Sequence, residues 1–198
     1  LGTGAAPTQA LEAVVLAAGA GARFGGGKLL SPWEGGLLID GALRAAFAAP
    51  VRSVTVVIGA DPRAAGAALA FDPGVRVVEA ADHAEGMAAS LRAGLASLPE
   101  DCAGAFVFLG DMPRVPASVL EPLAAALAAG AAAAAPVWEE RRGHPVLLGR
   151  ELFGAAMGLR GDVGARAVLD RLGPRLALVA APDDGVLLDV DRPSASPA

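Results

Sequence analysis

The sequence predicts an α/β fold: a Rossmann-like three-layer α/β/α sandwich, built as a single domain around a mostly parallel sheet. Short apolar, β-branched runs alternate with alanine-rich or amphipathic stretches through residues 12–129. Those runs are continuous rather than alternating, as strands covered on both faces require. The chain has 198 residues, which suits one domain and leaves little room for a second.

The first strand is expected over 12–18 (EAVVLAA), ending in glycine, with a glycine loop over 19–27 behind it. A helix over 38–49, a strand over 53–59, a helix over 62–70 and a strand over 75–79 continue the alternation. Residues 86–98 (GMAASLRAGLASL) place Met87, Leu91, Leu95 and Leu98 on one helical face, and Met87 and Leu91 are read as core. A strand over 105–109, a helix over 116–129 and a strand over 132–138 follow. The rhythm then changes. A short strand is expected over 144–148, helices over 150–157 and 162–172, and strands over 176–180 and 186–190. The whole of 1–198 is read as one domain, with a flexible stretch at 1–10 and a substrate-side insertion at about 138–175.

Composition narrows the function classes. The net charge of −5, with Lys and Arg scattered, argues against a nucleic-acid surface. Arg141-Arg142 is the one dense basic pair, and Glu139-Glu140 precedes it. A single cysteine, Cys102, excludes an internal disulfide and a cysteine metal cluster, and reads as a small packing residue. The apolar run 124–135 is too short to span a bilayer, and the first residues lack a basic head. No membrane association and a cytoplasmic location are therefore expected.

Open α/β sheets bind ligands outside the carboxyl ends of their strands. Two candidates fall there. The first is the loop from Leu16-Ala17-Ala18-Gly19 through Gly21, Arg23 and Phe24 to Lys28. It fails the dinucleotide fingerprint at Phe24, and it fails the P-loop at Ala22 and Leu29. What remains is a turn whose amides can cradle a triphosphate, with Arg23 as a fork for phosphate oxygens and Lys28 as a mobile point charge. The alternative is a surface turn with two solvated bases. The second candidate is Asp111, just after the fourth long strand. It reads either as a carboxylate holding Mg2+ against phosphate oxygens or as a turn residue capping the next helix. Near the chain end, Asp189 and Asp191 stand at strand spacing, so both side chains leave one face. The alternative there is a solvated acidic end.

The run LAAG-x-G-x-RFG-x-x-K resembles the signature of the MobA/MocA-like NTP transferase family, the nucleotidyltransferases that build molybdenum cofactor dinucleotides. RGHPV at 142–146 and GDVGAR at 161–166 resemble the second half of its molybdenum cofactor cytidylyltransferase members, and GM-x-x-SL at 86–91 resembles another shared segment. The likeness spans roughly 12–193. It implies a nucleotide site from Leu16, Ala17, Ala18, Gly19, Gly21, Arg23, Lys28 and Ser90, with Arg23, Lys28 and Asp111 catalytic. It implies Mg2+ on Asp111 and on an acid of the last segment, Asp191 in preference to Asp189, which is left to the substrate. Gly143, His144, Asp162, Gly164 and Asp189 are implied to line the acceptor, Asp162 also capping the helix that follows it.

Ala18 stands where guanylyl-transferring members carry glycine, so the resemblance implies CTP; a methyl in a base pocket discriminates by about 1–3 kcal/mol. The implied acceptor is molybdopterin, and the implied downstream partner is a molybdenum hydroxylase apoenzyme. Arg192 departs from the family's threonine and puts hydroxyl contacts there in doubt. Other readings stay open: GTP, a sugar phosphate or phospholactate as substrate, or a non-catalytic maturation protein carrying the cofactor. A dehydrogenase is disfavoured by Phe24, and His83 is read as surface.

Overall fold

Residues 10–19, 27–59, 61 and 63–191 are described by a computed structural model of the chain. In order, the elements are β1 (Leu11–Ala17), β2 (Pro32–Trp33), β3 (Gly36–Leu37), α1 (Leu38–Ala48), β4 (Val54–Ile58), α2 (Arg63–Phe71) and β5 (Arg76–Glu79). Then come α3 (Met87–Ala96), β6 (Gly104–Leu109), α4 (Leu120–Ala128), β7 (Ala133–Trp138), β8 (Arg141–Arg142) and β9 (Val146–Gly149). Helices α5 (Phe153–Met157) and α6 (Arg166–Leu169) and strand β10 (Leu176–Ala180) complete them. Short 3-10 turns occupy Lys28–Leu30, His83–Glu85 and Asp184–Val186, among others.

The main sheet runs β10-β7-β9-β6-β1-β4-β5, with β8 paired to β7, while β2 and β3 form a separate hairpin. Strands β1, β4, β5 and β6 are mutually parallel, as are β7 and β10. Strand β9 runs antiparallel to both β6 and β7, and so is the reversed strand in the middle of the sheet. The fold is thus mostly parallel, as the sequence predicts.

Alternation along each central strand sorts side chains between two layers. From β1, Ala13, Val15 and Ala17 pack with α1, α2 and α4, whereas Val14 packs with α3, α5 and α6. From β6, Phe106 and Phe108 face the first layer, and Ala105 and Val107 the second. Burying each large side chain of this kind contributes about 1.5–3 kcal/mol relative to exposure. Two-sided cover explains why the sequence runs were continuous.

Among the described residues, one buried charge interrupts this apolar interior. Glu12 on β1 is 1% exposed, and Arg52 lies 2.7 Å from its carboxylate while also meeting Asp101 at 2.7 Å. A buried acid is tolerated when paired in this way. The pair sits at the amino ends of the parallel strands, away from the edge where ligands bind. Cys102 is buried as expected, and burial raises its pKa above the ordinary thiol value, so it stays protonated. Among the described residues no helix is long and apolar enough to cross a membrane.

Two expectations near the chain end need correction. The helix expected over 162–172 is only the four-residue α6. The strand expected over 186–190 does not form: a 3-10 turn at Asp184–Val186 is followed by an unladdered stretch. It is tied to the site by backbone bonds from Val190 N to the Asp111 carbonyl at 3.1 Å and from His144 N to the Val186 carbonyl at 2.8 Å. The neighbour there is a loop rather than a strand, so no ladder extends. The hairpin β2–β3 and strand β8 were not anticipated, because two-residue strands carry no periodic signal.

Candidate active site

From β1 the chain order moves outward to β4 and β5, and from β6 it continues on the other side. The crevice between the carboxyl ends of β1 and β6 is therefore a topological switch point, the usual ligand position in such sheets. Gly110 N donates to Leu16 O at 3.0 Å and Met112 N to Leu109 O at 3.1 Å, fixing the turn that carries Asp111 beside the end of β1. Helix α1 seals the turn from behind. A side chain on Gly41 would meet the Pro113 carbonyl at 2.4 Å, so only glycine lets the helix approach this closely.

Across this crevice Lys28 meets both expected acids. Its Nζ donates to Asp111 Oδ2 at 2.7 Å and to Asp191 Oδ1 at 3.4 Å. The partners lie 83 and 163 positions away in sequence. The Val190-to-Asp111 backbone bond ties the two acidic segments to each other as well. Three of the residues expected to share one ligand thus converge. Arg23 and Gly21 lie outside the described residues, as do Phe24 and Arg192.

These side chains open onto a cleft of about 770 Å³. Leu16, Ala18, Gly19 and Ser90 line it, together with Asp162, Asp189 and Asp191. Ala17 does not line it: the residue is 3% exposed and packs into the α1 layer. Strand alternation sends it there once Leu16 and Ala18 face the crevice. A smaller chamber of about 240 Å³ adjoins the cleft through Leu109 and Asp189, and Gly143 and His144 line it. Arg141, Arg142 and Arg166 add a basic wall, Arg142 being paired with Asp170. Gly164 lines neither space; it packs against the Met87 sulfur.

Three side chains depart from their sequence reading. His83 is half-buried and lines the cleft, its Nδ1 lying 3.0 Å from the Ala80 carbonyl. Met87 is 37% exposed and also lines the cleft, whereas Leu91 is core as expected. Asp162 does not cap its own helix: α6 has Ala165 at its N-cap, with no side-chain cap. Its Oδ1 instead lies 3.4 Å from Met87 N, at the start of α3. Ala88 N donates to Gly161 O at 3.1 Å, so the 86–91 and 161–166 segments build one wall together. Each motif was visible separately; their contact was not.

The donor set suits a divalent cation shared with a ligand. Among the described residues no group of three or more His, Cys, Asp or Glu side chains forms a protein-only cage. Asp111 and Asp191, however, both approach the point held by the Lys28 ammonium, within reach of solvent. A pair of carboxylates completed by phosphate oxygens is the arrangement Mg2+ favours.

His144 carries a testable electrostatic consequence. Burial holds its pKa below the ordinary 6.5, against the opposing pull of the Val107 carbonyl and the Asp111 charge. Its Nδ1 is buried without a hydrogen-bond partner. Below pH 6.5 the unfolded chain takes up a proton that the folded chain refuses, so stability falls as pH drops through that window. Urea denaturation at pH 7.0 and 5.5 is expected to show this loss in the wild type. His144→Gln should flatten it, by at most about 1.4 kcal/mol per pH unit.

A cation and two acids thus gather at the switch point of a mostly parallel α/β sheet, where proteins of this class bind their ligands. The chain belongs to the MobA-like NTP transferase domain family, whose sequence model matches residues 13–176. It is 31% identical over 186 residues to the nicotine blue oxidoreductase of Paenarthrobacter nicotinovorans, covering 90% of each chain. It is 24% identical to the molybdenum cofactor cytidylyltransferase of Escherichia coli strain K12, covering 93% of each. Its structure is similar to that of Rv0371c from Mycobacterium tuberculosis H37Rv, with a TM-score of 0.80 and 29% identity over 93% of this chain and 94% of that one. Rv0371c has also been solved in complex with manganese, at a TM-score of 0.72 and 28% identity over 87% of this chain and 89% of that one.

Proposed function

We propose that this nucleotidyltransferase moves CMP from CTP onto a molybdopterin-type phosphorylated acceptor, with Mg2+ as cofactor and pyrophosphate as the second product. The observation that carries the reading is the meeting of Lys28, Asp111 and Asp191 at the switch point of the sheet. Asp111 and Asp191 would hold the Mg2+, which supplies charge neutralisation at the triphosphate. Lys28 places a further positive charge against the phosphates. Leu16, Ala18, Gly19 and Ser90 would shape the nucleotide end, with Gly21 and Arg23 completing the loop. Gly143, His144 and Asp189 would shape the acceptor end, beside Asp162 and Gly164.

The acceptor's terminal phosphate oxygen attacks the α-phosphorus in line. The new P–O bond forms as the bond to the β-phosphate bridging oxygen breaks, and pyrophosphate leaves with the electron pair. No covalent enzyme intermediate is needed, so alignment and charge balance are what the chain must provide. The reading places the protein in the cytoplasm, and a molybdenum hydroxylase apoenzyme is the fitting recipient of the product.

A second reading comes from the 31% identity to a relative named as an oxidoreductase: a redox step in the same cleft. The two separate cleanly. Isothermal titration with Mg2+ present should show CTP binding at least about tenfold tighter than GTP, the scale one pocket methyl supports. Preference for GTP would remove the cytidylyl assignment and keep the reaction class. Binding of NADPH with no affinity for any triphosphate would favour the redox reading.

A further inference from the structure

Lys28 has a role beyond contacting phosphate, one that rests on the metal–nucleotide reading of the cleft. Two carboxylates directed at one point repel each other unless a positive charge lies between them. The Lys28 ammonium supplies positive charge there, 2.7 Å from Asp111 and 3.4 Å from Asp191, with its side chain only 13% exposed. The two carboxylate oxygens are thus no further apart than the sum of those distances. A divalent ion bound by both would take the place the ammonium holds, because two cations cannot share it.

Backbone hydrogen bonds hold the turn beneath Lys28. Leu30 N donates to Gly27 O at 2.9 Å and Ser31 N to Lys28 O at 3.1 Å, closing a 3-10 turn around the residue. A four-carbon stem on that anchor can carry the ammonium from the carboxylates to phosphate oxygens without moving the chain. We propose that Lys28 is a tethered cation guarding the divalent-metal site: it opposes metal entry until nucleotide phosphates offer its ammonium another partner. The protein then favours the ternary metal–nucleotide state over a metal-only state. By linkage, metal strengthens nucleotide binding by the same factor.

The probe is Mn2+ alone, titrated into the full nucleotide-free chain and followed by the electron paramagnetic resonance signal of the free ion. Lys28→Met is expected to bind Mn2+ about tenfold or more tightly than the wild type, within the range of ordinary coupling factors. Lys28→Arg, which keeps the charge, should stay near the wild type. Adding Asp191→Asn to Lys28→Met should abolish the gain, which locates it at this point. Unchanged or weaker Mn2+ binding by Lys28→Met, in protein whose circular dichroism matches the wild type, would overturn the role. Should that variant fail to fold, Lys28→Gln gives the same comparison with a polar tip. A wild type that takes up no CTP in a parallel titration would defeat the transfer reading instead, so the two failures are told apart.

Discussion

Asp111→Asn is expected to lower pyrophosphate release from CTP and acceptor by about 10²–10³-fold, the cost of losing one charge-stabilising group in an active site. The carboxylate is only partly exposed and sits at the strand end where Lys28 and Asp191 converge. Asparagine keeps its shape and removes its charge, so the observed ammonium contact and the metal contact proposed for Asp111 are weakened together. The backbone bonds that place the turn, from Gly110 to Leu16 and from Val190 to Asp111, do not involve the side chain. Thermal unfolding should therefore shift little while turnover collapses. Continuous pyrophosphate assay and differential scanning calorimetry on the same preparation check both halves. Unimpaired delivery of cofactor to a molybdoenzyme by this variant would instead identify a carrier without turnover.

How much of this was legible beforehand follows from the physics of each segment. The parallel strands were readable because Val14, Val15, Val56 and Val57 lie in continuous runs buried on both faces. The rule that ligands sit at strand carboxyl ends then placed Lys28 opposite Asp111. Asp191 was found for a partly mistaken reason. Its segment is not a strand, yet Val190 packs inward and donates its amide to Asp111, so the flanking acids still reach the cleft. Ala17 was misplaced because a contiguous motif was read as a contiguous surface, although a strand divides it between faces. His83 was read as surface because a three-residue 3-10 turn has no periodicity, and its packing beside the end of β4 brings it to the cleft. The basic chamber was hidden by the antiparallel insertion of β9, which no local pattern announces. Long-range placement of short segments is what the sequence withholds.

Gly143 shows how such a placement couples stability to the site. Its amide donates to Pro136 O at 2.9 Å, and the next amide, His144 N, donates to Val186 O at 2.8 Å. These bonds pin the end of β8 between β7 and the turn that leads to Asp189 and Asp191. A Cβ at position 143 would lie 2.1 Å from the Val186 carbonyl oxygen, and backbone cannot yield as a flexible side chain does. Gly143→Ala must therefore push the 184–186 turn outward, at a cost of about 1–3 kcal/mol for overpacking. That corresponds to roughly 2–4 °C in Tm for each kcal/mol in a chain of this size. Because the displaced turn leads into the segment with Asp191, the second acid proposed for the metal, metal affinity in the presence of CTP should fall as well. Gly154→Ala, at a helical position with open space around it, should lose no stability and leave metal affinity unchanged. If Gly143→Ala lost stability while metal affinity held, the acids beyond residue 186 would be positioned independently of the 143–186 contact, and Val190 with Asp111 would remain as their anchor.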